Sequence, residues 1–340
     1  MRRPDRRVAA FAAFAFVCTA TAVGYVATTV AGNDVAAGGK VAPVAAADSL
    51  AAVREAPHVV FRTLAPGEAG RLAVAPLDAP DGPRTLTGAE CLRAYATAEV
   101  GLCLHDQGNM FTRYEIGFLG RDLDQRHRES LSGLVSRARI SPDGRHGAAT
   151  VFVTGHSYAQ GGFSTETTLH DMATGDLLGG LEQFEVYKDG GQIKHVDFNF
   201  WGVTFTAEPG RFYATLGTEG HTYLVRGDID ENRMEVLRDG VECPSLSPDG
   251  TRIAFKQRVD PGDETKGWRP AVLDVATLED HPLSETRNVD DQIEWLNDDT
   301  VLYAVDTGRG APDVFAAAAD GTGTPRLFLT DADSPAVVRP

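Results

Sequence analysis

The sequence predicts an all-β fold, a six-bladed β-propeller preceded by one N-terminal transmembrane helix, and three observations carry that expectation. A tetrapeptide, Ser141-Pro142-Asp143-Gly144, recurs as Ser247-Pro248-Asp249-Gly250, each time between two short apolar strands. Weaker copies of the same strand, turn, strand unit place turns near residues 70, 101, 144, 210, 250 and 299. Their mean spacing of about 46 residues is the length of one four-stranded blade. Ahead of them, 23 residues from Val8 to Val30 carry no charge, enough rise to cross a bilayer as a helix.

Arg2, Arg3, Arg6 and Arg7 against Asp5 make residues 1–7 a basic tail. Arginines on that side predict a cytoplasmic N-terminus and export of everything after the span at 8–30. A cleaved signal peptide is the competing reading, with Ala45-Ala46-Ala47 as peptidase site, although its apolar region would be shorter. Both readings place the folded part outside the cytoplasm. Residues 31–57, rich in Ala, Gly, Val and Pro, read as a flexible linker. From His58 to about residue 335 short apolar runs alternate with turn clusters, and no window holds a 3.6-residue period.

Each Ser-Pro-Asp-Gly segment is a hairpin turn with a mechanism. Proline presets φ, aspartate hydrogen-bonds the backbone, and glycine takes positive φ. The strands that follow are Ala148-Ala149-Thr150-Val151-Phe152-Val153 and Arg252-Ile253-Ala254-Phe255-Lys256. Looser copies run from Asp197–Phe205 through Glu208-Pro209-Gly210 into Arg211–Leu216, and from Ile293–Leu296 through Asn297-Asp298-Asp299 into Val301–Val305. Second half-blades follow, such as Glu166–Met172 with Thr174-Gly175 as its turn, and Ala271–Val275.

These units resemble the repeat of TolB-like propellers, relatives of the WD-repeat blade. The resemblance covers most of residues 58–335, with the full tetrapeptide in two of six units. It implies a fold rather than a chemistry. With 27 Arg against 5 Lys and much Ala and Gly, the composition suggests a GC-rich genome, plausibly of a high-GC Gram-positive bacterium. Such a bacterium has no outer membrane, so an outer-membrane partner system is not expected.

The formal charge of -16, with +3 in the first thirty residues, leaves -19 for the remainder. That balance repels phosphate backbones, and no nucleic-acid partner is expected. Cys91 and Cys103 lie symmetrically about Thr97, so a hairpin turning there would make them a facing pair that an oxidising compartment closes into a disulfide. Two free, buried thiols are the alternative. Cys243, before Pro244, reads as a core thiol.

Gly155-His156-Ser157-Tyr158-Ala159 approaches the Gly-x-Ser-x-Gly nucleophile elbow. The following Gln160-Gly161-Gly162-Phe163 cannot start the helix that the elbow requires, which favours a loop between strands. Nine histidines without paired spacing and cysteines without Cys-x-x-Cys offer no metal site, no Gly-Gly pair precedes a lysine in a strand-to-helix context, and no cofactor is expected. Asp228–Asn232 reads as a hairpin turn rather than a calcium loop. Phe198, Phe200, Trp201 and Phe205 read as packing between blades, with an exposed binding platform as the alternative.

The expected function is non-enzymatic: a monomeric, membrane-anchored scaffold that docks an envelope or secreted protein or peptide. A hydrolase or lyase, or a small-ligand sensor, is the alternative. Tight turns should line one rim and the irregular second-strand loops the other, so the binding face is expected at His156, Ser157, Tyr158 and His221.

Overall fold

The computed structural model describes residues 44–45, 50–108, 113–153 and 164–340. The expected membrane span at 8–30 lies outside them, and no helix among the described residues is long and apolar enough to cross a membrane. Within the segment expected as linker, strand β1 (Val44–Ala45) and helix α1 (Leu50–Arg54) already belong to the compact unit that begins at Ala42. Leu50 and Val53 pack against the core between the first two blades, and Arg54 donates to the carbonyl of Ala98 at 2.9 Å.

In the first blade β2 (His58–Thr63), β3 (Arg71–Pro76) and β4 (Arg84–Glu90) form a meander, with β1 added parallel to β4. The second blade is β5 (Arg93–Ala96), β6 (Gly101–Asp106), β7 (Tyr114–Leu119) and β8 (Gln125–Leu131). The third is β9 (Leu134–Ile140), β10 (His146–Val153), β11 (Ser164–Asp171) and β12 (Leu177–Gly180). A hairpin, β13 (Glu185–Lys188) and β14 (Gly191–Ile193), is inserted before the fourth blade, β15 (Asn199–Phe205), β16 (Arg211–Thr218), β17 (His221–Asp228) and β18 (Arg233–Asp239). Because β13 pairs parallel to β18, that blade becomes six-stranded. The insertion explains the long gap between the turns at 144 and 210. The fifth blade is β19 (Glu242–Leu246), β20 (Arg252–Arg258), β21 (Trp268–Asp274) and β22 (Asp280–Pro282). The sixth is β23 (Glu294–Asn297), β24 (Thr300–Asp306), β25 (Pro312–Ala318) and β26 (Arg326–Leu329).

The last strand, β27 (Ala332–Val338), returns to pair antiparallel with β2 and supplies the first strand of the first blade. The propeller therefore runs to Val338 rather than to 335. It also corrects the phase of the repeat. The turn at 70 joins the second and third strands of its blade, whereas the turns at 144, 210, 250 and 299 join first and second strands.

First strands pack on one another all the way round, β27 on β5, then β9, β15, β19, β23 and back to β27. The core follows the same plan, as six apolar clusters, one between each pair of neighbouring blades. Phe200, Phe205 and Phe212 meet Leu169 and Leu181 between the third and fourth, while Val59, Phe61, Leu302 and Phe328 join the first to the sixth.

The two Ser-Pro-Asp-Gly turns are built alike. Ser141 and Ser247 each bond the aspartate two residues on at 2.5 Å, and the serine oxygen accepts from the backbone N–H of His146 or Arg252 at 2.9 Å. Gly144 and Gly250 take φ of 69° and 74°. Serine thus closes the turn from within, a role the tetrapeptide alone does not reveal.

Candidate functional site

Each blade reverses at every turn, so connections between first and second strands share one rim and those between second and third strands share the other. Both ends of the central channel open into cavities. On the Ser-Pro-Asp-Gly rim a cavity of about 420 Å³ is lined by Tyr95, Arg139, Pro142, Pro248 and Trp295. On the opposite rim a cavity of about 570 Å³ is lined by residues from the starts of β5, β9, β15 and β19 and from the ends of β2, β10 and β20.

Between the mouths, polar side chains tie blades across the axis. Arg139 donates to the Ile293 carbonyl at 2.7 Å, lies 3.4 Å from Glu294 and stacks over the Tyr95 ring at 4.4 Å. Glu294 also accepts from the Val337 amide at 3.1 Å and from the Tyr95 hydroxyl at 3.4 Å. Burial pushes the Glu294 carboxyl up, with Arg139 opposing. Gln292 donates to the carbonyls of Val203 and Pro244, both at 3.0 Å. These bonds satisfy groups that a dry core could not otherwise hold.

The larger mouth combines apolar walls with charge. Leu134 and Phe152, cross-strand partners of β9 and β10, are 50% and 37% exposed at its lip, and Trp201 and Trp268 line it deeper. Lys256 pairs with Asp290 at 2.6 Å, and Arg137 approaches the same carboxylate at 3.5 Å. Arg62 and Arg93 share Asp333, the second at 3.3 Å, and Arg258 meets Glu242 at 3.1 Å. Lys256 and Arg258 each stand 4.3 Å from the Trp268 ring centroid. Although burial raises the Asp290 carboxyl, Lys256, Arg137 and Arg93 hold it below its ordinary value. Burial lowers the Arg93 guanidinium, with Asp333 opposing.

Cys91 and Cys103 are bonded, while Cys243 is a free, buried thiol that lines the larger mouth. The expected turn position needs correction. Ala94, not Cys91, faces Cys103, and the hairpin turns at Ala98-Glu99, where the Thr97 amide donates to the Val100 carbonyl at 2.8 Å. Cys91 precedes β5 and donates its N–H to Gly70 of the first blade, reaching Cys103 from outside the strand with a Cα separation of 5.3 Å.

Of the expected site residues, His156, Ser157 and Tyr158 lie outside the described residues. His221 is exposed at the start of β17, where its ring lies 6.1 Å from that of Tyr223, and it does not line the channel mouth. The aromatic run divides at the irregularity between Trp201 and Thr204 in β15: Phe200 and Phe205 are core, while Trp201 faces the mouth. Arg93, Arg137 and Lys256 come from three different blades and Asp290 from the connection between β22 and β23, so no local sequence signal marks them together. Asp228–Asn232 does connect β17 to β18 as a hairpin turn. Among the described residues no group of three or more His, Cys, Asp or Glu side chains is placed to hold a metal ion.

The fold is similar to TolB from Acinetobacter baumannii, with a TM-score of 0.58 and 18% identity over 83% of this chain and 66% of that one. It is also similar to a putative TolB from Agrobacterium tumefaciens, with a TM-score of 0.50 and 13% identity over 80% of this chain and 88% of that one. A chain of the nidogen/laminin complex aligns with a TM-score of 0.51 and 12% identity over 83% and 98% of the two chains. This chain thus spans about two-thirds of the length of the Acinetobacter protein. No protein-family model and no curated protein matches the sequence. Likeness at these identities shows the TolB-like six-bladed propeller fold and leaves chemistry to the site.

Proposed function

We propose that the protein is an extracytoplasmic binding propeller, held to a membrane through residues 8–30, that receives a protein or peptide segment at the channel mouth opposite the Ser-Pro-Asp-Gly turns. The observation that carries this reading is the pair Leu134 and Phe152, exposed side by side at the lip of a cavity of about 570 Å³. Large apolar side chains that stay in water beside a concave, charged wall favour a partner that covers them. The Cys91–Cys103 bond supports an oxidising compartment. His156, Ser157 and Tyr158, which follow β10 in sequence, are proposed to contribute to the same partner contact.

A photo-crosslinking amino acid placed in cells at Leu134 or Phe152 should capture a partner. The same group at Pro248, on the other rim, should not. Capture from Pro248 alone would overturn the choice of mouth, and recovery of full-length protein from the cytosol would overturn the location. His156→Ala with Tyr158→Ala should weaken partner recovery at an unchanged Tm.

A further inference from the structure

The chemistry of this mouth narrows what it can accept, granting the reading just proposed that a peptide segment docks there. The charged groups that line the cavity or pair with its lining are Arg62, Arg93, Arg137, Lys256 and Arg258 against Glu242, Asp290, Asp291 and Asp333, five cations to four carboxylates. The excess is cationic, in a chain whose residues after the first thirty carry -19. A local reversal of sign selects an anionic group.

Nε of Arg137 and Nε1 of Trp268, at the same wall, are buried without a hydrogen bond among the described residues, and the Arg137 guanidinium also lies beside the Cys243 sulfur. Native proteins seldom leave buried donors unmet, so an acceptor on a docked segment would complete these two. Arg137 is also loosely held by the carboxylate it has. Asp290 sits 3.5 Å from it but 2.6 Å from Lys256, so an incoming carboxylate can take over Arg137 while Asp290 stays with Lys256. Arg93, with a third of its side chain exposed, lies within the same cluster. Leu134, Phe152, Trp201 and Trp268 line the same cavity and favour an apolar body beside that charge.

We infer that the cavity binds a carboxylate carried on an apolar peptide segment, with Arg93, Arg137 and the Trp268 N–H as its recognition groups. The carboxylate can be a chain terminus or an acidic side chain between apolar residues, and titration calorimetry on the full chain in detergent separates these sources. The probes are acetyl-Ala-Phe-Leu as free acid, the same peptide as C-terminal amide, and acetyl-Ala-Phe-Glu-Leu amide. Binding of the free acid at least tenfold tighter than its amide identifies a terminus. Equally preferential binding of the glutamate peptide identifies a side chain, and either result supports the inference. Affinity for the preferred acid should fall as salt rises.

Trp268→Phe keeps a ring under Lys256 and Arg258 but removes the donor, and should weaken the acid by about three- to tenfold while leaving the amide unchanged. Equal binding of acid and amide, no detectable binding of any probe at millimolar concentration, or an unaffected acid affinity in a folded Trp268→Phe protein would overturn it. Crosslinks from Leu134 and Phe152 persisting alongside that failure would show that the mouth docks a partner by other chemistry. Should Trp268→Phe not fold, Arg137→Lys, which keeps the charge and loses the Nε donor, is read by the same acid-to-amide ratio.

Discussion

Glu182 shows burial alone retuning a side chain. Its carboxylate accepts from the Thr167 amide at 3.1 Å, beside the inserted hairpin, and burial pushes its pKa up from 4.5 to about 7 against the backbone N–H groups that favour the anion. The folded protein therefore binds this proton more tightly than the unfolded chain. The resulting stability is fully present below pH 4.5 and is lost as pH rises through 7, by at most about 3 kcal/mol. Denaturant titrations of Glu182→Gln should lose that slope between pH 4.5 and 7, and a slope equal to wild type would assign it to another group. No local pattern marked Glu182 in the sequence, because its desolvation comes from a sheet insertion rather than from its neighbours in the chain.

At the scale of elements, local chemistry was the most legible part. The Ser-Pro-Asp-Gly turns form where their residues demand, and a second repeated turn, Asp171-Met172-Ala173-Thr174 and Asp274-Val275-Ala276-Thr277, joins third to fourth strands with each aspartate accepting from two backbone N–H groups. Both copies lack proline, so the sequence marks a turn at Thr174-Gly175 without marking the repeat. The β5–β6 hairpin was harder, because symmetry about Thr97 described a register that the chain does not use. The disulfide forms because Cys91 leaves the strand for Gly70. Closing a 12-residue separation should stabilise by about 3 kcal/mol. Cys91→Ser with Cys103→Ser should therefore melt lower by that amount, with the Cys243 thiol unreacted in the native state of both proteins. A variant as stable as wild type would show that the first two blades hold together without the bond.

For the whole molecule, closure of the ring is the decisive interaction. β27 contributes Ala336 and Val338 to the core between the first and second blades and Ala332 to that between the first and sixth. Arg62 and Arg93, from those first two blades, both pair with its Asp333. Removing residues 332–340 leaves β2 as an open edge facing the channel and exposes both clusters. The shortened chain should lose cooperative thermal unfolding by circular dichroism, whereas removing Pro340 alone should not. A cooperative melt without β27 would mean that five blades and a meander suffice.

Sequence by itself determined the blade count, the turn chemistry and the all-β pattern, because these depend on residues within about ten positions of one another. It also put Cys91 and Cys103 close enough to bond. Only the tertiary structure decided that the first blade borrows its first strand from residues 332–338, that a hairpin widens the fourth, and that Arg93, Arg137, Lys256 and Asp290 meet at one mouth. A ring brings the same strand of every blade to its axis, so the channel is lined by residues tens to hundreds of positions apart. Spacing along the chain carries no trace of that meeting.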